Sequence, residues 1–150
     1  MTKSSNTLLF SIALAAVLVL FGVNALVHYY PSDAEPPPAG TLALVPADIK
    51  GMSIESQGRV FTLNQKQQAD ALSFINRMRP VDKKDYPNRS KFDFSRLIIY
   101  LFDKPEVSLV PITFSEQNLV FDIPSLNSSS YYLEMSGGEF YSLILKATQS

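Results

Sequence analysis

The chain has 150 residues, of which 46% are hydrophobic, with a formal net charge of −1, one histidine and no cysteine. The lack of cysteine excludes disulfides and thiol chemistry, and the single histidine, His28, adjoins an apolar N-terminal run, so a catalytic triad or a His/Cys zinc site in the rest of the chain is excluded. The chain also lacks a basic stripe interleaved with aromatic residues, which argues against nucleic-acid binding.

Residues 8–27 form an uncharged run interrupted by only three small or polar residues. A helix of this length spans about 30 Å, the hydrocarbon thickness of a bilayer. The His-Tyr-Tyr sequence that follows is typical of the aromatic belt at a membrane surface. We therefore predict a transmembrane helix over residues 8–30, in contact with membrane lipid, preceded by a short tail at residues 1–7.

The charges flanking this run predict its orientation. Lys3 precedes it, whereas Asp33 and Glu35 follow it. This bias places the N-terminus in the cytoplasm and predicts a single-pass signal anchor in the inner (plasma) membrane, with the C-terminal domain in the periplasm or outside the cell. The alternative is a signal peptide cleaved after Ala25, because Val23 and Ala25 occupy the −3 and −1 positions of an acceptable cleavage site.

Residues 31–47 have the composition of a linker. They contain five prolines among small and polar residues, which favours an extended chain of about 3.1 Å per residue. Leu42 and Leu44 interrupt this composition, and they either dock on the following domain or belong to a binding epitope.

Residues 48–150 are predicted to form one small domain, which begins with a hairpin and a helix. Apolar and polar residues alternate on both sides of a Gln57-Gly58 turn, which predicts two short strands within residues 49–63. Asn64 and Gln67 have the spacing of a capping box, and an apolar stripe predicts a helix over residues 65–78. Residues 80–91 are polar and charged and form the longest predicted loop.

The rest of the domain is predicted to be a meander followed by a second helix. Residues 97–102 are apolar on both faces, which is typical of a central strand, and strands at 107–114, 119–123 and 131–135 follow. Pro111 favours an edge or a bulge. Ser136 and Glu139 have the spacing of a second capping box before an amphipathic helix.

The predicted fold is therefore α+β, with one antiparallel sheet of about 4–6 strands and two helices. This layout resembles that of many small membrane-anchored bacterial envelope domains, a likeness that carries no activity.

The charges of the domain are unevenly distributed. Residues 77–96 contain seven basic and three acidic side chains, whereas residues 97–150 contain two basic and six acidic ones. The basic loop at residues 80–91 and two tyrosines beside the serine-rich loop at residues 124–130 are the predicted partner contacts, with solvated charge and sheet packing as the competing interpretations. These residues are Lys83, Lys84, Tyr86, Arg89, Lys91, Tyr131 and Tyr132.

Catalytic chemistry has little support in this sequence. No glycine-rich phosphate loop is present, so no cofactor is predicted, and the remaining carboxylates are scattered over turns and strand ends. We expect a membrane-anchored protein-binding or scaffolding domain of the bacterial cell envelope, such as an assembly subunit, with a protein partner in the envelope. The alternative hypothesis is a periplasmic inhibitor or immunity-type protein, either anchored or secreted after signal cleavage at Ala25. A third hypothesis is a carboxylate-dependent envelope hydrolase.

Overall fold

The computed structural model describes residues 42–126 and 128–149. The predicted tail, transmembrane segment and most of the linker lie outside these residues. Within the described part, no helix has the length and apolar character needed to cross a bilayer. The regular elements are β1 (Ile49–Ser56), β2 (Arg59–Thr62), α1 (Gln65–Ile75), β3 (Arg79–Asp82), β4 (Arg96–Leu101), β5 (Val107–Ser115), β6 (Asn118–Asp122), β7 (Ser130–Leu133) and α2 (Glu139–Thr148).

The strands form one antiparallel sheet in the order β2-β1-β4-β5-β6-β7-β3. The α+β class and the two helices are confirmed, but the sheet has seven strands where about 4–6 were predicted. The additional strand is β3, which occupies the beginning of the predicted loop at residues 80–91 and pairs with β7. Its Pro80 is tolerated because an edge strand has one side without a partner.

The β1–β2 hairpin and the start of α1 follow the predicted pattern. The turn residues Gln57 and Gly58 have φ values of 50° and 76°, which is the geometry of the hairpin turn that matches strand twist. The Asn64 side chain accepts a hydrogen bond from the Gln67 N–H, and the Gln67 side chain accepts one from the Asn64 N–H, each 2.9 Å long. The predicted capping box is therefore confirmed.

Helix α1 ends at Ile75, three residues earlier than predicted. The C-cap is Asn76, and the next two N–H groups, of Arg77 and Met78, bond to carbonyls three residues back, the tighter turn that often closes a helix. The Asn76 side chain also binds the segment that precedes β1. Its Oδ1 accepts from the Leu44 N–H and its Nδ2 donates to the Leu44 carbonyl, both at 2.9 Å. Leu42 is buried in the core and Leu44 packs against it, so these leucines dock on the domain.

The middle of the sheet is covered on both faces at β4. Leu97, Ile98 and Ile99 are consecutive and all buried, as predicted for a central strand. The register of β5 against β6 shifts between Pro111 and Thr113, which confirms a bulge at the proline.

Helix α2 begins later than its predicted capping box. Gly137 and Gly138 adopt φ values of 67° and 96°, and Gly138 is the N-cap. Such left-handed conformations suit glycine and delay the helix until Glu139, so the box with Glu139 does not form. The Ser136 hydroxyl still accepts a hydrogen bond from the Phe140 N–H at 2.9 Å.

One hydrophobic core joins both helices to the sheet. The apolar residues of α1 and α2 that face the sheet belong to the same buried cluster as alternate residues of the central strands. Phe140 is fully buried, with its ring centroid 5.4 Å from that of Phe74 and 5.8 Å from that of Phe121. The C-terminal end of α1 therefore meets the N-terminal end of α2 above the sheet.

Candidate functional site

The first two predicted contact residues of the basic loop are engaged in ion pairs within the domain. Lys83 Nζ lies 3.3 Å from Asp122 Oδ1 and 4.8 Å from the ring centroid of Tyr131. Lys84 Nζ lies 3.3 Å from Asp82 Oδ2. The fold thus brings Lys83 and Tyr131 together, although 48 positions separate them in the sequence.

The remaining residues of the basic loop are more open to a partner. Tyr86 is half-buried, and its N–H donates to the Lys83 carbonyl at 3.2 Å. Arg89 and Lys91 are exposed, and no ion pair of either occurs within residues 42–126 and 128–149. Their charges are therefore available for contacts outside the domain.

The two predicted tyrosines lie on opposite faces of β7, because successive strand residues alternate. Tyr132 is 2% exposed and belongs to the core under the helices. Tyr131 is half-buried beneath Lys83. The pair therefore does not form one aromatic contact surface, and Tyr132 is a packing residue.

A small cavity of about 570 Å³ lies where the basic loop meets the serine-rich loop. Its lining combines the edge strand β3 with Lys83 and Lys84 on one side and Ser129 and Ser130 on the other. Both lysines already have carboxylate partners within the domain.

A larger cleft lies between α1, α2 and the β5–β6 turn. Its volume is about 940 Å³. Four partly buried apolar or aromatic side chains line it, and charged and amide side chains of the two helices and the turn surround them. The apolar lining consists of Phe74, Phe114, Tyr141 and Leu143. Concave apolar surfaces with a few polar groups are the usual form of a binding site.

The aromatic side of the cleft is continuous with the end of the basic loop. The ring centroid of Phe114 lies 5.0 Å from that of Phe92 and 5.1 Å from that of Tyr141, and Phe94 closes the cluster. Burial, followed by the nearby negative charge of Asp93, raises the pKa of the Tyr141 phenol above its ordinary value. A tyrosine phenol is neutral at physiological pH even without this shift, and it can donate a hydrogen bond there.

One wall of the cleft is fixed by a fully buried carboxylate. Glu134 is 0% exposed, and its two oxygens accept hydrogen bonds from the N–H groups of Leu119 at 3.0 Å and of Ser136 at 2.7 Å. The Asn118 side chain accepts a further bond from the Gly137 N–H at 2.7 Å. These contacts connect β6 to the start of α2, so the wall is preformed.

The described residues include several carboxylates with structural partners. Within them, no group of three or more His, Asp or Glu side chains is arranged to hold a metal ion. Of the scattered carboxylates, Glu134 bonds backbone N–H groups and Asp122 bonds Lys83.

The cleft was not predicted from the sequence, because its parts come from three distant segments. Phe74 extends the apolar stripe of α1, and Phe114 ends a strand with ordinary alternation. The one signal available in the sequence was the widening of the α1 stripe by Phe74. Comparison of the chain with protein-family models, with curated proteins and with solved structures gives no match.

Proposed function

We propose that this chain is a single-pass, membrane-anchored envelope protein whose C-terminal domain binds another protein outside the cytoplasm. The uncharged run at residues 8–27 and the flanking charges support the anchor and its orientation. The cleft between α1 and α2 supports the binding role, and it is the observation that carries this proposal.

Three properties of the cleft favour protein binding. Its aromatic lining supplies apolar area together with the hydrogen-bonding tip of Tyr141, a combination enriched at protein interfaces. Its open form suits a side chain or short segment of a partner. The buried Glu134 fixes one wall, which reduces the ordering cost of binding.

Filling the cleft tests this proposal. Ser142 is an exposed α2 residue at the cleft, and Ser142→Trp places an indole where a partner would bind. The full chain would be purified from native membranes, and the proteins retained by wild type and by the variant would be compared. We expect a partner retained by wild type to be lost from Ser142→Trp.

Ser73→Trp is the matched control, because Ser73 is exposed on α1 but does not line the cleft. A charge reversal at Lys83 and Lys84 tests the basic loop in the same experiment. Equal partner retention by wild type and Ser142→Trp, with loss in the lysine variant, would move the binding site from the cleft to the loop.

A further inference from the structure

One side of the cleft carries negative charge that the domain does not neutralise. Glu116 in the β5–β6 turn and Glu139 at the start of α2 are exposed, and neither has an ion pair among the residues that the structure describes. Both line the cleft, and the residues next to them in sequence approach each other, because a Cβ on Gly138 would lie 3.6 Å from the Gln117 carbonyl oxygen. Of the other charged residues that line the cleft, Lys66 and Asp70 pair with each other at 2.8 Å, and Lys146 lies about two helical turns after Glu139 on α2.

Residues 86–91 have the complementary chemistry. This segment, called the basic turn below, exposes Pro87 together with the cations Arg89 and Lys91, and it includes the half-buried Tyr86. The tyrosine and proline side chains can pack against the aromatic lining of the cleft, and the guanidinium and ammonium groups can form ion pairs with its two carboxylates.

The basic turn adjoins the cleft in its own chain and is hydrogen-bonded to β5. The Ser90 N–H donates to the Ile112 carbonyl at 2.8 Å, and the Ser90 hydroxyl lies 2.9 Å from that of Thr113. Phe92, directly after the turn, contacts the cleft residues Phe114 and Tyr141. In a dimer with two-fold symmetry, each copy can place its basic turn in the cleft of the other copy, and every contact is then made twice.

We propose that two copies of this chain form a symmetric dimer in which the basic turn of each occupies the cleft of the other. Arg89 and Lys91 of one protomer then lie against Glu116 and Glu139 of its partner. The inference rests on the proposed use of the cleft for protein binding and specifies a second copy as an occupant.

A charge exchange tests this dimer. One variant carries Glu116→Lys with Glu139→Lys, and the other carries Arg89→Glu with Lys91→Glu. In a dimer of either variant alone, the turn and the cleft carry charges of the same sign. In a mixed dimer, the reversed turn of one variant faces the reversed cleft of the other, and the two unchanged parts face each other, so both contacts join opposite charges. Native mass spectrometry of the full chain in mild detergent distinguishes the species, because the two variants differ in mass.

We expect wild type to dimerise, each variant alone to dimerise at least about tenfold more weakly, and the mixture to recover as a mixed dimer. The control is Lys50→Glu with Arg59→Glu, which makes the same charge change at exposed positions outside the cleft and the basic turn and should leave dimerisation unchanged. A monomeric wild type, unweakened variants, or a mixture without mixed dimer would overturn the inference. If wild type is monomeric and Ser142→Trp abolishes the binding of a different protein, the dimer is refuted and the proposed function stands.

Discussion

Replacing the buried carboxylate of Glu134 is expected to destabilise the domain more than any exposed acidic substitution. In Glu134→Gln the amide oxygen can still accept a hydrogen bond from one of the two N–H groups. The new amide NH₂ group faces the other N–H and cannot accept a hydrogen bond from it. One charge-assisted bond is lost and one buried backbone N–H is left without an acceptor. A charge-assisted bond is worth about 1.5 to 3 kcal/mol and an unsatisfied buried group costs about 1 to 3 kcal/mol. The two costs overlap, because both arise from the same lost bond, so the free energy of unfolding should fall by about 2 to 4 kcal/mol.

Urea unfolding of the full chain, followed by tyrosine fluorescence, measures this loss. With a slope of about 1.5 kcal/mol per M, the midpoint should fall by roughly 1.3 to 2.7 M without a change in slope. Glu116→Gln is the control, because Glu116 is exposed and its variant should stay within about 0.5 kcal/mol of wild type. A loss below 0.5 kcal/mol in Glu134→Gln would refute the role assigned to this carboxylate.

Three further predictions concern the core, the cleft and the N-terminal segment. Phe140→Ala should lower the free energy of unfolding by about 3 to 5 kcal/mol and Leu143→Ala by clearly less, because Phe140 is 0% exposed and Leu143 is only partly buried. Equal losses in urea unfolding would contradict this packing. The Tyr141 phenol should show a pKa above its ordinary value in a phenolate absorbance titration, and Asp93→Asn should lower that pKa. Because the unfolded chain loses this proton first, the free energy of unfolding should decline as the pH rises past about 10. The full chain should remain in the membrane after a carbonate wash, and a reporter active only outside the cytoplasm should work when fused after Ser150, whereas a mature chain lacking the apolar run would contradict the anchor.

Short-range signals predicted much of the domain. The Asn64 and Gln67 spacing gave the start of α1, and the two-residue turn gave the first hairpin. Residues that are apolar on both faces marked β4 as central, and Pro111 marked a bulge. Each of these features depends on residues within a few positions of one another, where backbone geometry and burial act locally.

Features that depend on distant partners were missed. Strand β3 has the sequence Arg-Pro-Val-Asp, which lacks strand alternation, and it forms because β7 supplies a ladder about fifty residues later. Helix α2 was predicted to begin too early, because the left-handed Gly137 and Gly138 add a turn after Ser136. The basic loop was correctly identified as charged, but the ion pair of Lys83 with Asp122 could not be read from spacing.

The most direct test of the account is a photo-crosslink formed at the cleft in living cells. A photoreactive amino acid in place of Gln117, which lines the cleft, should yield a discrete crosslinked protein, to be identified by mass spectrometry as a second copy or as another envelope protein. The same substitution at the exposed Lys50, outside the cleft, should yield none. Equal crosslinking from both positions, or none from Gln117, would contradict the claim that this domain binds protein through the cleft.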